Sequence, residues 1–339
     1  MTQPDAFGRD YLRLALSIDR HFPGYVDAYY GPSEIKEAVN SAELPSTPVL
    51  RELVSQLQAS VPDGDPARSR YLQVTLDSMT CMLDLIDGIE VDYVDEVRRL
   101  YNVHPEPVSE DAFLEAHNML DNALPPGPSL TERMNQHRQL FEIDPEDALS
   151  LIDLAQAETR NRTTGLVSLP DDESVEVRLT SNQPWGAYNW YLGSGRSLIE
   201  FNTDIPLSGA ALLGTFAHEG YPGHHTEALL KEEALYNQRG YAEQSAMILL
   251  SPAAVIAEGI ATTALEMIFP EGSGYAWTRD VLLPAAGLNG AAREATEQSQ
   301  AIGNALRQLR YVTGNAAIFY HSGRLSRANK RLTTSRPTV

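Results

Sequence analysis

The chain has 339 residues, of which 42% are hydrophobic and 21% are charged, a composition typical of a globular protein with a substantial core. Its formal net charge of -20 argues against binding to the phosphates of nucleic acid and against anionic lipid surfaces. The single Cys81 excludes an internal disulfide and a cysteine-rich metal site, and the absence of a long apolar run or a signal-peptide core predicts a cytoplasmic protein without membrane contact.

The first half of the chain has the pattern of a helical region. Apolar residues recur at helical spacing in residues 5–20, and Pro-Gly and Gly-Pro pairs interrupt the pattern soon afterwards. Further helices are predicted over residues 49–61, 69–86, 91–101, 109–122, 129–141 and 145–160. We therefore expect a helical region over residues 1–165 and a second region over residues 166–339, which together form one integrated domain.

Residues 174–204 differ from this pattern and predict a small antiparallel sheet. Val175, Val177 and Leu179 alternate with polar residues, and residues 197–203 have the pattern of another strand, which Pro206 ends. Helices resume at Ser208, a suitable N-cap residue. The prediction is a mainly α protein with a small sheet beside the next helix.

That next helix carries the most informative stretch of the chain, A-H-E-G-Y-P-G-H-H at residues 217–225. It places His218, His224 and His225 close to the carboxylate of Glu219. Neutral imidazole is a common ligand for zinc, and a carboxylate beside a ligand histidine can act as a general base. The stretch therefore predicts a site for zinc or another divalent metal.

The spacing of these histidines requires a distorted helix. His224 and His225 lie six and seven positions after His218, and neither separation brings two side chains to one ion on a straight helix. Pro222 cannot donate a helical hydrogen bond and Gly223 tolerates unusual dihedral angles, so we expect a bulge or break there. A bulge of two residues would present His224 as the second ligand, which we favour, and a bulge of three would present His225.

A third ligand is expected on the next helical stretch. Glu258 lies in an almost wholly apolar run, where a charged carboxylate would be costly without a partner such as a metal ion. Glu266, about two turns further on, is the alternative.

The sequence H-E-x-x-P-G-H-H, followed by a helix with E-G-x-A, resembles the bacterial family called domain of unknown function 885. Residues 26–32, 197–202 and 314–317 are similar to other segments of that family. The resemblance implies a helical, zincin-like metallohydrolase fold and a glutamate as third ligand. Family members usually continue well past the last of these segments, whereas this chain ends in a polar tail over residues 327–339.

These features predict a zinc peptidase that cleaves amide bonds through a metal-activated water, with a peptide or a small amide as substrate. Glu219 would take the proton from the water and pass it to the leaving amine. The strand after residue 196 would pair with an extended peptide. The predicted substrate-binding residues on it are Ser197, Ile199, Phe201 and Asn202.

The oxyanion formed during hydrolysis needs a donor besides the metal. Tyr320 and His321 are the candidates, together with Tyr311 and the unused histidine of the motif.

Two other hypotheses remain open at this point. The early end of the chain favours a catalytically impaired metal- or peptide-binding protein. The third hypothesis is a helical scaffold with an incidental histidine cluster. Retention of Glu219 argues against pure metal binding, because binding alone needs no general base.

Overall fold

Helices form most of the first half of the chain in the computed structural model, which describes residues 4–288 and 290–325; the predicted polar tail at residues 327–339 lies outside these ranges. The helices are α1 (Ala6–His21), α2 (Ser33–Ser41), α3 (Thr47–Ala59), α4 (Pro66–Ile86), α5 (Tyr93–Tyr101), α6 (Glu110–Ala123), α7 (Leu130–Gln139) and α8 (Ala148–Thr163). All but α2 were predicted, because their apolar periodicity is regular and several have strong caps. Asp65, for example, accepts hydrogen bonds from the Ala67 and Arg68 amides at the start of α4.

A three-stranded sheet follows, made of β2 (Ser174–Thr180), β3 (Ala187–Gly193) and β4 (Arg196–Asn202) in the order β2-β4-β3. β3 and β4 pair antiparallel, as predicted, whereas β2 and β4 pair parallel. The sheet is therefore mixed, because the connection from β2 to β3 crosses over β4. β4 is its central strand, with a neighbour on each side.

A second pairing connects the two halves of the chain. β1 (Val26–Tyr29) pairs antiparallel with β5 (Ala246–Ile248), so that Val26 lies opposite Ile248. One hydrophobic core accordingly combines α1 to α5 with residues around β5. A small antiparallel ribbon thus joins residues more than 200 positions apart.

Helical segments complete the second half: α9 (Leu212–Glu219), α10 (His224–Lys231), α11 (Pro252–Ile268), α12 (Ser273–Trp277), α13 (Leu283–Ala285), α14 (Ala291–Glu294), α15 (Thr296–Leu309) and α16 (Tyr311–His321). π-helical turns at Glu232–Asn237 and Thr278–Leu282 and 3₁₀ turns at Ala242–Ser245 and Pro270–Gly272 connect some of them. Ser208 is not the N-cap of α9, because α9 begins at Leu212 and Ser208 instead pairs with Glu142 in an isolated bridge. A second core packs α8, β4, α9 and α11 together beneath the histidine motif.

Within the residues that the structure describes, no single helix is both long and apolar enough to cross a membrane. The segments Pro252–Ile268 and Ser273–Ala285 reach that length and composition only as a pair, and they meet at an angle of 66°.

Candidate metal centre

The histidine motif occupies a break between two helices. α9 ends at Glu219 and α10 begins at His224, and the peptide bond between Tyr221 and Pro222 is cis. The Gly223 amide donates to the Ala217 carbonyl (3.0 Å), so the turn folds back onto the end of α9. The predicted interruption of the helix is therefore confirmed.

Gly223 is required by the closeness of this turn. A Cβ atom added there would lie 1.9 Å from the carbonyl oxygen of His218 and 2.5 Å from that of Ala217. Because both are backbone atoms, no side-chain movement can relieve the clash. The glycine lets α10 start immediately above the last turn of α9, which is what brings His224 back to His218.

Two histidines and a glutamate converge at this break. The rings of His218 and His224 lie 4.7 Å apart, edge to face. The Glu258 carboxylate, contributed by α11, lies 3.3 Å from Nε2 of His224 and 3.7 Å from Nε2 of His218. The Glu219 carboxylate is also close, since its ligand atom and those of the two histidines lie within 4.8 Å of one another. The structure thus brings together the four residues that the sequence singled out for a metal site.

The donor set fits a zinc-like ion. Ligands about 2.0–2.1 Å from a tetrahedral ion lie roughly 3.4 Å from each other. The distances from Glu258 to the imidazole nitrogens, 3.3 Å from one carboxylate oxygen and 3.7 Å from the other, are close to that value. Two neutral imidazoles and a carboxylate are also the ligand types of zinc hydrolases.

Glu258 reaches this position for a different reason from the one predicted. Its side chain is 63% exposed, so a need to compensate burial does not explain it. α11 packs inward through small residues at helical spacing, among them Ala257, Ala261 and Ala264, and leaves Glu258 on the rim. The alternative ligand Glu266 is turned elsewhere, because it pairs with Arg307 (2.6 Å).

His225 has a structural role in a buried network. It is fully buried, its Nε2 donates to the Glu173 carboxylate (3.0 Å), and its Nδ1 shares a hydrogen bond with Ser197 (2.8 Å). The Tyr221 hydroxyl and Arg160 also donate to Glu173. Since both ring nitrogens of His225 are occupied, the geometry favours His224 as the second ligand. The sequence did not single out Glu173, which lies 52 positions from His225.

Burial raises the pKa of Glu219, the candidate general base. Glu219 is 8% exposed, and loss of hydration raises the pKa of its carboxyl to about 7. Its backbone carbonyl accepts a hydrogen bond from the Asn189 side chain (2.7 Å), which ties the end of α9 to β3. A carboxyl with a pKa near neutrality can exchange protons efficiently at physiological pH.

The two histidines have opposite electrostatic environments. Burial and the neighbouring His224 lower the pKa of His218, which favours the neutral form that can bind a metal. Burial is also the largest influence on His224, but the hydrogen bond to Glu258 together with the charges of Glu219, Glu258 and Glu227 outweighs it and raises the pKa of His224. That hydrogen bond is also the main cause of the lowered pKa of Glu258. Attraction between His224 and Glu258 thus contributes to holding these two side chains together.

The prediction that β4 binds the substrate is wrong. β4 is paired on both sides, so it has no edge to offer to a peptide. Its predicted contact residues are buried: Ile199 and Phe201 belong to the core, Ser197 bonds to His225, and Asn202 donates to the carbonyls of Gln183 and Trp185. The edge strand beside the cluster is β3.

Two of the predicted oxyanion donors lie against α5. His321 stacks on Tyr93 of α5, with ring centroids 4.6 Å apart, and Tyr320 packs against His321. Tyr188 on β3 donates a hydrogen bond to Asp27; burial is the main cause of its raised pKa, to which the charges of Asp27, Glu219 and Glu258 also contribute. Alternation along β3 could have indicated that Tyr188 and Trp190 share a face, but not that this face meets Asp27.

Comparison with known proteins adds little. No protein-family model and no curated protein matches the chain. It is similar to a solved structure described as that of a "putative lipoprotein" from Colwellia psychrerythraea, with 14% identity and a TM-score of 0.33. The match covers 82% of this chain and 58% of that one, so the chain spans little more than half the length of that protein.

Proposed function

We propose that the protein is a metal-dependent hydrolase that cleaves amide bonds in peptides, with zinc or another divalent ion held by His218, His224 and Glu258. The observation that carries the proposal is the convergence of these three side chains at metal-ligand spacing beside the buried Glu219. A histidine cluster in a mere scaffold needs neither this spacing nor a buried carboxylate with a raised pKa.

A bound ion of this kind would polarise the substrate carbonyl and lower the pKa of an attacking water. Glu219 is placed to take the proton of that water and to pass it to the leaving amine. Its burial supports this role, because loss of hydration raises the pKa of its carboxyl and so makes the carboxylate a stronger base. Asn189 holds the backbone of Glu219, and so fixes the direction of its side chain relative to β3.

The position of the edge strand β3 is the argument for a peptide substrate. It pairs with β4 on one side only, and the hydrogen bond from Asn189 to the Glu219 carbonyl holds it next to the end of α9. An extended peptide can add to such an edge through backbone hydrogen bonds. This replaces β4 as the proposed peptide-binding strand.

The proposal can be tested by metal analysis and peptide turnover on the same preparation. Purified protein should contain about one divalent ion per chain, or take it up on zinc addition, and should cleave members of a mixed peptide library. Glu219→Gln should retain the ion but lose about 10²- to 10⁴-fold in rate. A protein that binds no zinc at all would be a scaffold, and a metal-loaded protein without turnover would be a binding protein.

Loss of the ion from Glu219→Gln would change the assignment of the third ligand. It would make Glu219 the third ligand in place of Glu258, which its proximity to both histidines allows. Zinc binding by Glu258→Gln then decides which carboxylate binds the ion.

A further inference from the structure

A cleft of about 750 Å³ opens next to the candidate metal centre. Its walls come from α7, α9, α11, α12 and α15, and His218 is part of its lining. Leu265, Phe269, Tyr275 and Leu306 make much of the surface apolar. The cleft therefore leads away from the metal centre and is large enough for an amino-acid residue with a bulky side chain.

The charge of this cleft is opposite to that of the chain. The whole chain carries a formal charge of -20, yet three arginines and one glutamate line the cleft. Arg307 is neutralised by Glu266 (2.6 Å), which leaves the charges of Arg138 and Arg310. Neither of these two guanidinium groups has a hydrogen-bond or ion-pair partner among the described residues.

Arg310 directly follows α15 and lines the same cleft as His218 of the candidate metal centre. Arg138, on α7, also lines this cleft. A guanidinium group presents several donors that match a carboxylate. Two uncommitted guanidinium groups in one cleft thus suit an anionic ligand.

One buried polar atom beside the cleft also lacks a hydrogen-bond partner among the described residues. His137 is 7% exposed, its Nε2 shares a hydrogen bond with Ser299 (3.0 Å), and its Nδ1 is buried without a partner in the described structure. Both residues line the cleft. Because Nδ1 is shielded from solvent, it does not open onto the cleft, and Arg138 and Arg310 are the lining groups that can bind an anion.

We propose that this cleft is a carboxylate-binding subsite, in which Arg138 and Arg310 hold an anionic group of the substrate beside the His218–His224–Glu258 centre. The assignment rests on the proposed function, because it takes the ligand to be a peptide cleaved at that centre. Two sources share this chemistry, namely the C-terminal carboxylate of a peptide and the side chain of an aspartate or glutamate. The apolar lining suits the C-terminal carboxylate of a residue such as phenylalanine.

Equilibrium binding to the full chain tests this without relying on catalysis. Calorimetry would compare hippuryl-phenylalanine, its C-terminal amide, and the α-amide of hippuryl-glutamic acid. EDTA-treated protein would be used alongside untreated protein, so that direct binding of a carboxylate to an ion is excluded. We expect the free acid to bind about tenfold or more tightly than its amide, since one charge-assisted hydrogen bond accounts for at least that factor.

Variants identify the residues responsible. Arg138→Gln and Arg310→Gln should each remove most of the preference for the acid, and should leave the affinity for the phenylalanine amide within about twofold. Arg70→Gln is the matched control, because Arg70 is exposed on α4, also lacks a partner among the described residues, and lies outside the cleft. It should keep the preference.

The outcomes are distinguishable. Preference for the free acid identifies a peptide C-terminus as the ligand, and preference for the glutamic acid α-amide identifies an acidic side chain; either supports the subsite. Equal binding of all three peptides, or an equal loss in Arg70→Gln and Arg310→Gln, would overturn it. A carboxylate preference in a protein that binds no zinc would refute the proposed hydrolase but support the subsite. Peptide turnover without that preference would support the hydrolase but refute the subsite.

Discussion

Glu258 and Glu266 lie two turns apart on the same helix, yet they face different partners. Glu258 approaches the imidazoles of His218 and His224, whereas Glu266 pairs with Arg307. Both carboxylates are about 60% exposed, so burial does not distinguish them. Their neighbours alone decide which of the two can serve as a ligand.

We therefore expect His218→Ala and Glu258→Gln each to lower zinc affinity by more than about 100-fold, the upper end of the loss caused by a residue that only supports a ligand. Competition with a fluorescent chelator would measure this affinity. Glu266→Gln is the matched control and should bind zinc like the parent. Equal affinity of Glu258→Gln and the parent would show that Glu258 is not a ligand.

Glu173 determines the position of the motif without touching the candidate ion. Burial by itself would raise the pKa of this carboxyl, but the hydrogen bonds from His225, Tyr221 and Arg160 outweigh burial and lower the pKa to about 2. In the unfolded chain the pKa returns to roughly 4.3. Because the folded pKa is the lower one, Glu173 stabilises the protein fully above about pH 5, and the contribution is lost as the pH falls toward 2.

Glu173→Gln should accordingly reduce the free energy of unfolding by about 3 kcal/mol at pH 7, as expected when a buried charge pair is broken. The difference from the parent should be smaller at pH 3.5, as measured by urea unfolding at both pH values. Glu176→Gln, which removes a carboxylate from an exposed pair with Arg178, should cost no more than about 1 kcal/mol. A deficit of Glu173→Gln that does not depend on pH would contradict this account.

At the scale of the element, the break between α9 and α10 is the feature on which the site depends. Six residues of continuous helix would turn His224 away from His218. The tight turn at Gly223 instead stacks the first turn of α10 on the last turn of α9. Such a close approach of two backbone segments is possible only without a side chain.

Gly223→Ala should therefore destabilise the protein by at least about 3 kcal/mol and abolish zinc binding, because the added methyl group clashes with two carbonyl oxygens. Gly259→Ala is the matched control, since this glycine lies next to Glu258 inside α11, with nothing within 4 Å of an added Cβ. It should stabilise the protein by about 0.4–1 kcal/mol. Thermal unfolding and zinc titration measure both effects; full zinc binding by Gly223→Ala would refute the turn geometry.

Several contacts join residues 1–165 to the rest of the chain. β1 pairs with β5, and Arg68 forms an ion pair with the fully buried Glu243 (2.6 Å). Asn315 on α16 bonds in both directions to the backbone of Val108 (2.9 and 2.7 Å). These contacts cross the boundary between the two predicted regions, and the first hydrophobic core includes residues from both.

We expect that residues 1–165 and 166–339, expressed separately, do not fold cooperatively. Each fragment would expose apolar surface that the other covers, together with one strand of the β1–β5 pair. Circular dichroism and thermal unfolding of each fragment, compared with an equimolar mixture of the two, would measure this. A cooperative transition in either fragment alone would show two domains where we expect one.

The sequence by itself determined the local features: seven of the helices of the first half, strands β2 and β4 of the small sheet, the break at Pro222-Gly223, and the grouping of His218, Glu219 and His224. These features depend on periodicity, caps and backbone chemistry within about 20 residues, which a single sequence records. Tertiary structure alone decided the central place of β4, the pairing of β1 with β5, the contact of Glu173 with His225 and the stacking of His321 on Tyr93. Each of these depends on which distant segments pack together, and the hydrophobic pattern shows which face of an element is buried but not what covers it.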